Sequence, residues 1–276
     1  MSASPTPAAR ERLSFNQITV DGWSLREAVD GCRRADIGHI GVWRHKVEEV
    51  GLAEAARMIA DAGLSVSSLC RGGFFPAATA RERRERIDDT RQAIDEAVAL
   101  GTDVLCLVCG GPVDRDLAPA RAMVADAVAA LAPHAADAGV TLAIEPLHPM
   151  QAADRSVIVT LAQAVAIAEA IDSPNVGVMV DVYHVWWDPE VHAQIGRAGS
   201  RIAGFQVCDW VKGTRDTLME RAMPGDGVID IRGLRAGVEA AGYTGPIEVE
   251  IFNEAIWGSP GDEVLKQLTE RWEVAV

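Results

Sequence analysis

In "VGVMVDVYHVWW" (176–187) the apolar residues Val176, Val178, Met179 and Val180 run straight into Asp181, and His184 follows three positions later. A carboxylate at the end of a buried run costs several kcal/mol unless it is paired or the chain has just surfaced. The same oddity recurs. "TLAIEP" carries Glu145, "IAGFQVCD" carries Gln206 and Asp209, and "PIEVEIF" carries Glu248 and Glu250. Carboxylates gathered in one apolar place repel each other unless protonated or neutralised, and a divalent cation is the simplest neutraliser. Oxygen donors without cysteine favour a hard ion, Mn²⁺ or Mg²⁺. Such an ion beside a substrate carbonyl would stabilise the oxyanion formed when a neighbouring C–H proton is removed. His148, three residues beyond Glu145, would supply a base that is neutral near pH 7. His184 is expected to touch substrate or support the site, and His45, just after "VWR", is a weaker candidate of the same kind. His39, His134 and His192 fall where structural or solvated roles are expected.

These residues need a scaffold that brings distant strand ends together. Strand-like runs occur at 13–20, 39–43, 65–70, 104–109, 141–146, 176–181, 202–209 and 246–252, with segments of helical period between them. Gly63, Gly101 and Gly139 stand where helices should stop before the next strand. Eight strands alternating with helices, without a long linker, predict a single (β/α)₈ barrel over 13–276. A doubly wound sheet would need a glycine-rich phosphate turn after its first strand, and "TVDGWS" is not one. Barrel chemistry sits at the C-terminal ends of the strands, which answers the question raised by Asp181: its strand ends where the barrel opens. Alternation leaves two choices open. Glu248 and Glu250 share a face, while Gln206 and Asp209 lie on opposite faces, so only one of the latter points inward.

Composition limits the partners. The 276 residues carry 26 Lys and Arg against 40 Asp and Glu, a formal charge of −14, which argues against nucleic acid and anionic membranes. No apolar stretch approaches the roughly 20 residues that span a bilayer. "MSASPTPAARER" (1–12) reads as a loose leader rather than a signal peptide, and a cytoplasmic location is expected. The five cysteines do not form a disulfide framework. In "VLCLVC" Cys106 and Cys109 would point to opposite faces of a strand and cannot chelate one ion. Trp43, Phe74, Phe75, Trp186, Trp187, Trp210 and Trp257 cluster just past strand ends and could stack on a sugar or a flat leaving group, Trp187 foremost.

"IEPLHP", "DVYH", "MPGDGVIDI" and "EVEIF", in this order, resemble the sugar phosphate isomerase/epimerase family of xylose isomerase-like barrels. The resemblance implies metal binding by Glu145, Asp181 and Glu250, which selects Glu250 over Glu248, and substrate contact by Arg221. The family's fourth ligand is usually histidine; the matching position here is Gln206, whose amide oxygen suits Mn²⁺ best, with Mg²⁺ or Co²⁺ admissible. A narrower resemblance, in "VWRHK", "SLCRGGFFP" and "IEPLHP", is to the larger subunit of bacterial C-glycoside deglycosidases acting on 3-keto glycosides. It implies β-elimination of an aglycone, with His148 taking the C2 proton, and a small β-rich partner subunit. An oligomer is expected. The alternative is a keto-sugar isomerase or epimerase, or an inosose-dehydratase-like enzyme, in which Glu145 or Glu250 returns a proton. A three-zinc endonuclease on the same barrel would need more histidine and a basic groove.

Overall fold

Short apolar runs separated by amphipathic helices can bury both sheet faces by closing into a barrel with the helices outside, and they do so here. The computed structural model describes residues 8–276. Its eight parallel strands are β1 Leu13–Asn16, β2 His39–Trp43, β3 Ser65–Gly73, β4 Val104–Val108, β5 Thr141–Glu145, β6 Val176–Asp181, β7 Ile202–Val207 and β8 Ile247–Val249. Each pairs with its neighbours in the chain, and β8 closes onto β1 with Ile247 opposite Leu13. The fold is the α/β barrel expected.

Alternation along the strands divides the core in two. Cys106, Ala143 and Met179 point into the barrel, whereas Leu105, Leu107, Leu142, Ile144, Val178 and Val180 pack against the helices. Cys106 thus lies inside and Cys109 outside, both as free thiols. The helices are locally well specified. Ser24 with Glu27 and Thr79 with Glu82 form reciprocal capping boxes at the starts of Leu25–Arg34 and Ala80–Leu100, each cap contributing about 1 kcal/mol. Among the described residues no helix is long and apolar enough to cross a membrane.

Three boundaries differ from the sequence reading, each for a local reason. β1 stops at Asn16 because its side chain accepts the Ile18 N–H (3.0 Å) and turns 17–20 into a 3₁₀ segment. β7 ends at Val207, after which Asp209–Trp210 pairs antiparallel with Arg221–Ala222 in a small ribbon over the mouth. β8 ends at Val249, although Glu250 N–H still donates to Val207 O (3.2 Å). Of the leader expected at 1–12, residues 1–7 lie outside the described residues. Residues 8–12 belong to the packed fold: Ala8 is buried and hydrogen-bonded to both Val276 and Trp272, because this apolar residue tucks beneath the C-terminal helix.

Candidate active site

The strand register sets the acidic side chains at one level of the mouth. Glu145 ends β5, Asp181 ends β6 opposite Gln206, and Gln206 in turn lies opposite Glu248. Glu248 and Glu250 both point inward, but they do different things. Glu248 sits lower, where Gly41 leaves space that a β-carbon would fill 2.5 Å from its carboxyl carbon. There it accepts from Asn16 Nδ2 (2.6 Å), Gln206 Nε2 (2.8 Å), Ser67 Oγ (2.5 Å) and Ser68 Oγ (2.9 Å). Four neutral donors satisfy this buried carboxylate, so Glu248 is a structural anchor. Glu250 stands above it, accepting from Asn16 Nδ2 at 3.1 Å and from Arg221 Nη1 at 3.0 Å.

Asp181 divides its oxygens between two tasks. Oδ1 caps the following turn by accepting the Tyr183 N–H (2.8 Å), while Oδ2 accepts from Arg221 Nη1 (3.0 Å). Arg221 thereby bridges β6 and β8 in a dry site, its side chain 3% exposed and stacked between the rings of Tyr183 and Phe252. Its position is fixed through the backbone, with its N–H on Phe252 O and its carbonyl on Asn253 Nδ2. Glu145 lacks such a partner: its neighbours are the Cys106 thiol at 3.4 Å and His184 Nε2 at 3.9 Å. Burial, reinforced by Asp181, therefore pushes its carboxyl up to about 7. Burial also raises Asp181 and Glu250, against the pull of Arg221.

The two histidines are tied to one another. His148 N–H donates to His184 Nδ1 (3.0 Å), so neutral His184 carries its proton on Nε2, facing Asp181 Oδ2 (3.5 Å) and Glu145 Oε1 (3.9 Å). Burial and the Arg221 charge hold this imidazole well below its usual range. Arg221 Nη2 lies 3.1 Å from the same nitrogen. Two donors facing each other there suit a substrate oxygen that accepts from both. His148 itself, expected as a base over the centre, packs between Trp210 (4.8 Å between centroids) and Trp187 (5.7 Å), with Nδ1 accepting the Met150 N–H. Its side chain is not among those lining the mouth, because the loop leaving β5 is pinned by these indoles. Trp187 donates from Nε1 to His184 O and so sits behind the histidine pair. His45 lies off the centre in a groove of about 560 Å³, edge-on to Trp43.

Asp209 is absent from the mouth as well. Its carboxylate accepts the N–H groups of Trp210, Gly225, Gly227 and Ile229, fixing the "MPGDGVI" segment that follows Arg221. Other side chains around the centre were not singled out from sequence: Asn16, Ser67, Ser68, Cys106, and the mouth-lining Arg71, Gln151 and Arg155. Arg71 carried a usable signal, since it follows the apolar run of β3 much as Asp181 ends β6.

The donor set fits a hard divalent cation. Glu145, Asp181 and His184 offer atoms within 4.8 Å of one another. Gln206 gives its amide N–H to Glu248, which leaves Oε1 buried without a partner. Because Nε2 of His184 holds a proton, the carboxylates and the Gln206 oxygen would be the better ligands, with Glu250, whose Oε2 accepts from Arg221, the fourth residue that would hold the ion.

A closed barrel with acidic and imidazole groups at its C-terminal mouth has the layout of a barrel enzyme's active site. The chain belongs to the xylose isomerase-like TIM barrel family, whose model matches residues 28–273. It is 30% identical over 214 residues to a 3-dehydroshikimate dehydratase of Pseudomonas aeruginosa, covering 75% of this chain and 32% of the relative. The chain thus spans about a third of the length of the dehydratases it matches. It is 26% identical over 215 residues to the L-ribulose-5-phosphate 3-epimerase UlaE of Salmonella paratyphi C, covering 75% and 72% of the two chains. Among solved structures, protein SMc04130 of Sinorhizobium meliloti matches with a TM-score of 0.94 and 48% identity, covering 97% of this chain and 99% of that one. The IolI protein with a bound zinc atom shares the fold, with a TM-score of 0.85 at 20% identity over 94% and 96% of the chains. The curated relatives it matches are thus named as dehydratases and epimerases, and in this chain Glu145, Asp181 and His184 form a candidate metal site.

Proposed function

We propose that the protein is a metal-dependent lyase that removes the proton α to the carbonyl of a keto sugar and expels a β-substituent, the best fit being release of the aglycone from a 3-keto C-glycoside. The observation that carries this reading is the pairing of a tight acidic mouth with a larger groove. The mouth has room of only about 20 Å³, whereas the adjoining groove of about 560 Å³ shares Trp43, Cys70 and Arg71 with it. A substrate made of a sugar and a flat leaving group would use both, the latter against Trp43 and Phe74. Expelling water alone would need no such space.

Glu145, Asp181, Gln206 and Glu250 would hold the ion, Mn²⁺ foremost. Its chemistry is to stabilise negative charge on the carbonyl oxygen. Arg221 and His184 then donate to that oxygen or its neighbour. Glu145, which faces the mouth without a directly paired arginine and which the ion would hold as a carboxylate, is suited to take the proton, and Glu250 stands across the mouth from it. His148 would act on the leaving-group side only if its loop shifts from the indoles. The two facing carboxylates favour a second reading, 3-epimerisation, because one could remove a proton and the other return it. Turnover of Mn²⁺-loaded protein with a 3-keto C-glycoside and with a ketohexose separates the two. Free aglycone is expected; an epimerised ketohexose beside intact glycoside would overturn elimination. A small β-rich partner is added in a parallel reaction, since the resemblance suggests one.

A further inference from the structure

Arginines in the walls around the mouth are matched with acceptors. Arg44 is paired with Asp89 and Glu96, Arg86 donates to the carbonyls of Phe74 and Pro76, and Arg221 bridges Asp181 and Glu250. Arg71 and Arg155 are the exceptions. Both line the mouth beside Glu145 and Glu250, both are partly exposed there, and neither has an ion-pair partner among the described residues. Arg71 extends from the end of β3 with its guanidinium 4.1 Å from the Phe74 ring centroid, a platform that holds the fork without satisfying its N–H groups. Arg155 is placed by its backbone, whose carbonyl accepts the Gly110 N–H at 2.8 Å. In a chain with 40 acids and 26 bases, two guanidinium groups held at the mouth without a direct ion pair stand out, even with Glu145 and Glu250 within electrostatic reach of Arg155.

We propose that Arg71 and Arg155 form a carboxylate-binding pair on the β3–β5 side of the mouth, so that the substrate is an anionic keto compound bearing a carboxylate on or next to the reacting ring. The inference rests on the reading of this mouth as a keto-substrate site. Each guanidinium offers a planar fork that matches a carboxylate, and two forks select a charged group over a hydroxyl. Burial lowers the pKa of both arginines, with the Arg155 charge adding to the effect at Arg71 and the Arg221 charge at Arg155, a cost that a bound anion offsets. Both side chains line the narrow mouth, where an entering anion would meet them.

The test is calorimetric titration of the full chain with shikimate, its methyl ester and inorganic phosphate, none of which can undergo the elimination. Shikimate should bind at least about 10-fold more tightly than the ester, about 1.4 kcal/mol. Arg71→Met and Arg155→Met should each remove that preference while leaving ester binding and thermal stability nearly unchanged, because neither guanidinium has an ion pair within 4 Å to lose among the described residues and methionine keeps the apolar packing, on Phe74 included. Equal binding of acid and ester, no binding of either anion, or a preference that survives both substitutions would overturn the proposal. Phosphate bound more tightly through the same arginines would overturn the carboxylate assignment. These titrations need no turnover: a protein that prefers the acid but eliminates nothing refutes the lyase reading alone. One that eliminates from a neutral glycoside without preferring the acid refutes this inference alone.

Discussion

Arg221→Met isolates a buried charge contact shared by two acids. One guanidinium nitrogen sits 3.0 Å from both Asp181 Oδ2 and Glu250 Oε2, and neither acid is more than 6% exposed. Removing one partner from a buried ion pair leaves an uncompensated charge and costs about 3–5 kcal/mol. For a domain of this size that corresponds to a fall in Tm of about 5–9 °C. The loss should be larger at pH 8 than at pH 6, because Asp181 and Glu250 already lean toward protonation and can neutralise themselves at the lower pH. Mn²⁺ provides the internal control. If these two acids ligate it, the ion replaces the missing charge, and saturation at 1,000-fold over Kd would return about 4 kcal/mol. Calorimetric scans of both proteins, with and without Mn²⁺, should therefore show a greater metal-induced rise in Arg221→Met than in the native chain. Arg221→Lys, which keeps the charge but not the fork, should fall between them. A loss under about 1 kcal/mol, or the same Mn²⁺ shift in both proteins, would refute the reasoning.

Two further outcomes follow from single residues. Asp209→Ala strands four backbone N–H groups at Trp210, Gly225, Gly227 and Ile229 and should cost about 3 kcal/mol in urea unfolding; Mn²⁺ affinity should stay within about two-fold, since this carboxylate faces away from the donor set. Glu145 titrates near 4.5 when unfolded and about 7 when folded, so its contribution is fully present below pH 4.5 and is lost as pH rises through 7. Metal-free protein should lose up to about 3 kcal/mol across that window, and Glu145→Gln should flatten the profile.

Strand ends were legible in the sequence because a charge closing an apolar run is expensive anywhere except at an opening or a partner. That argument located Glu145, Asp181 and the Gln206 strand. It could not separate Glu248 from Glu250, since alternation gives them one face. What separates them is non-local: Asn16, Ser67, Ser68 and Gln206, from three other strands, converge on Glu248 and leave Glu250 to Arg221. His148 was beyond reach for a similar reason. Its spacing from Glu145 placed it on the right loop, but the direction of its ring depends on Trp187 and Trp210, which lie 39 and 62 residues further along by their numbering. Arg155 sits in a turn with no periodicity at all, so only the folded chain brings it beside Arg71.

The charge balance at the mouth links the separate proposals. Four carboxylates, Glu145, Asp181, Glu248 and Glu250, gather around three guanidinium groups, Arg71, Arg155 and Arg221. Glu248 is satisfied by neutral donors and Arg221 is shared by two acids, so the remaining negative excess falls on the Glu145 side and the remaining positive excess on Arg71 and Arg155. A divalent cation at the acids would turn the whole mouth positive, and a carboxylate on the arginines would return it close to neutral. Cation and anionic substrate would then favour each other's binding, and by linkage each must strengthen the other by the same factor. Before the ion binds, burial holds the Glu145 carboxyl at about 7; a cation at the acids would pull it down, so Glu145 would meet the substrate as a carboxylate able to accept a proton.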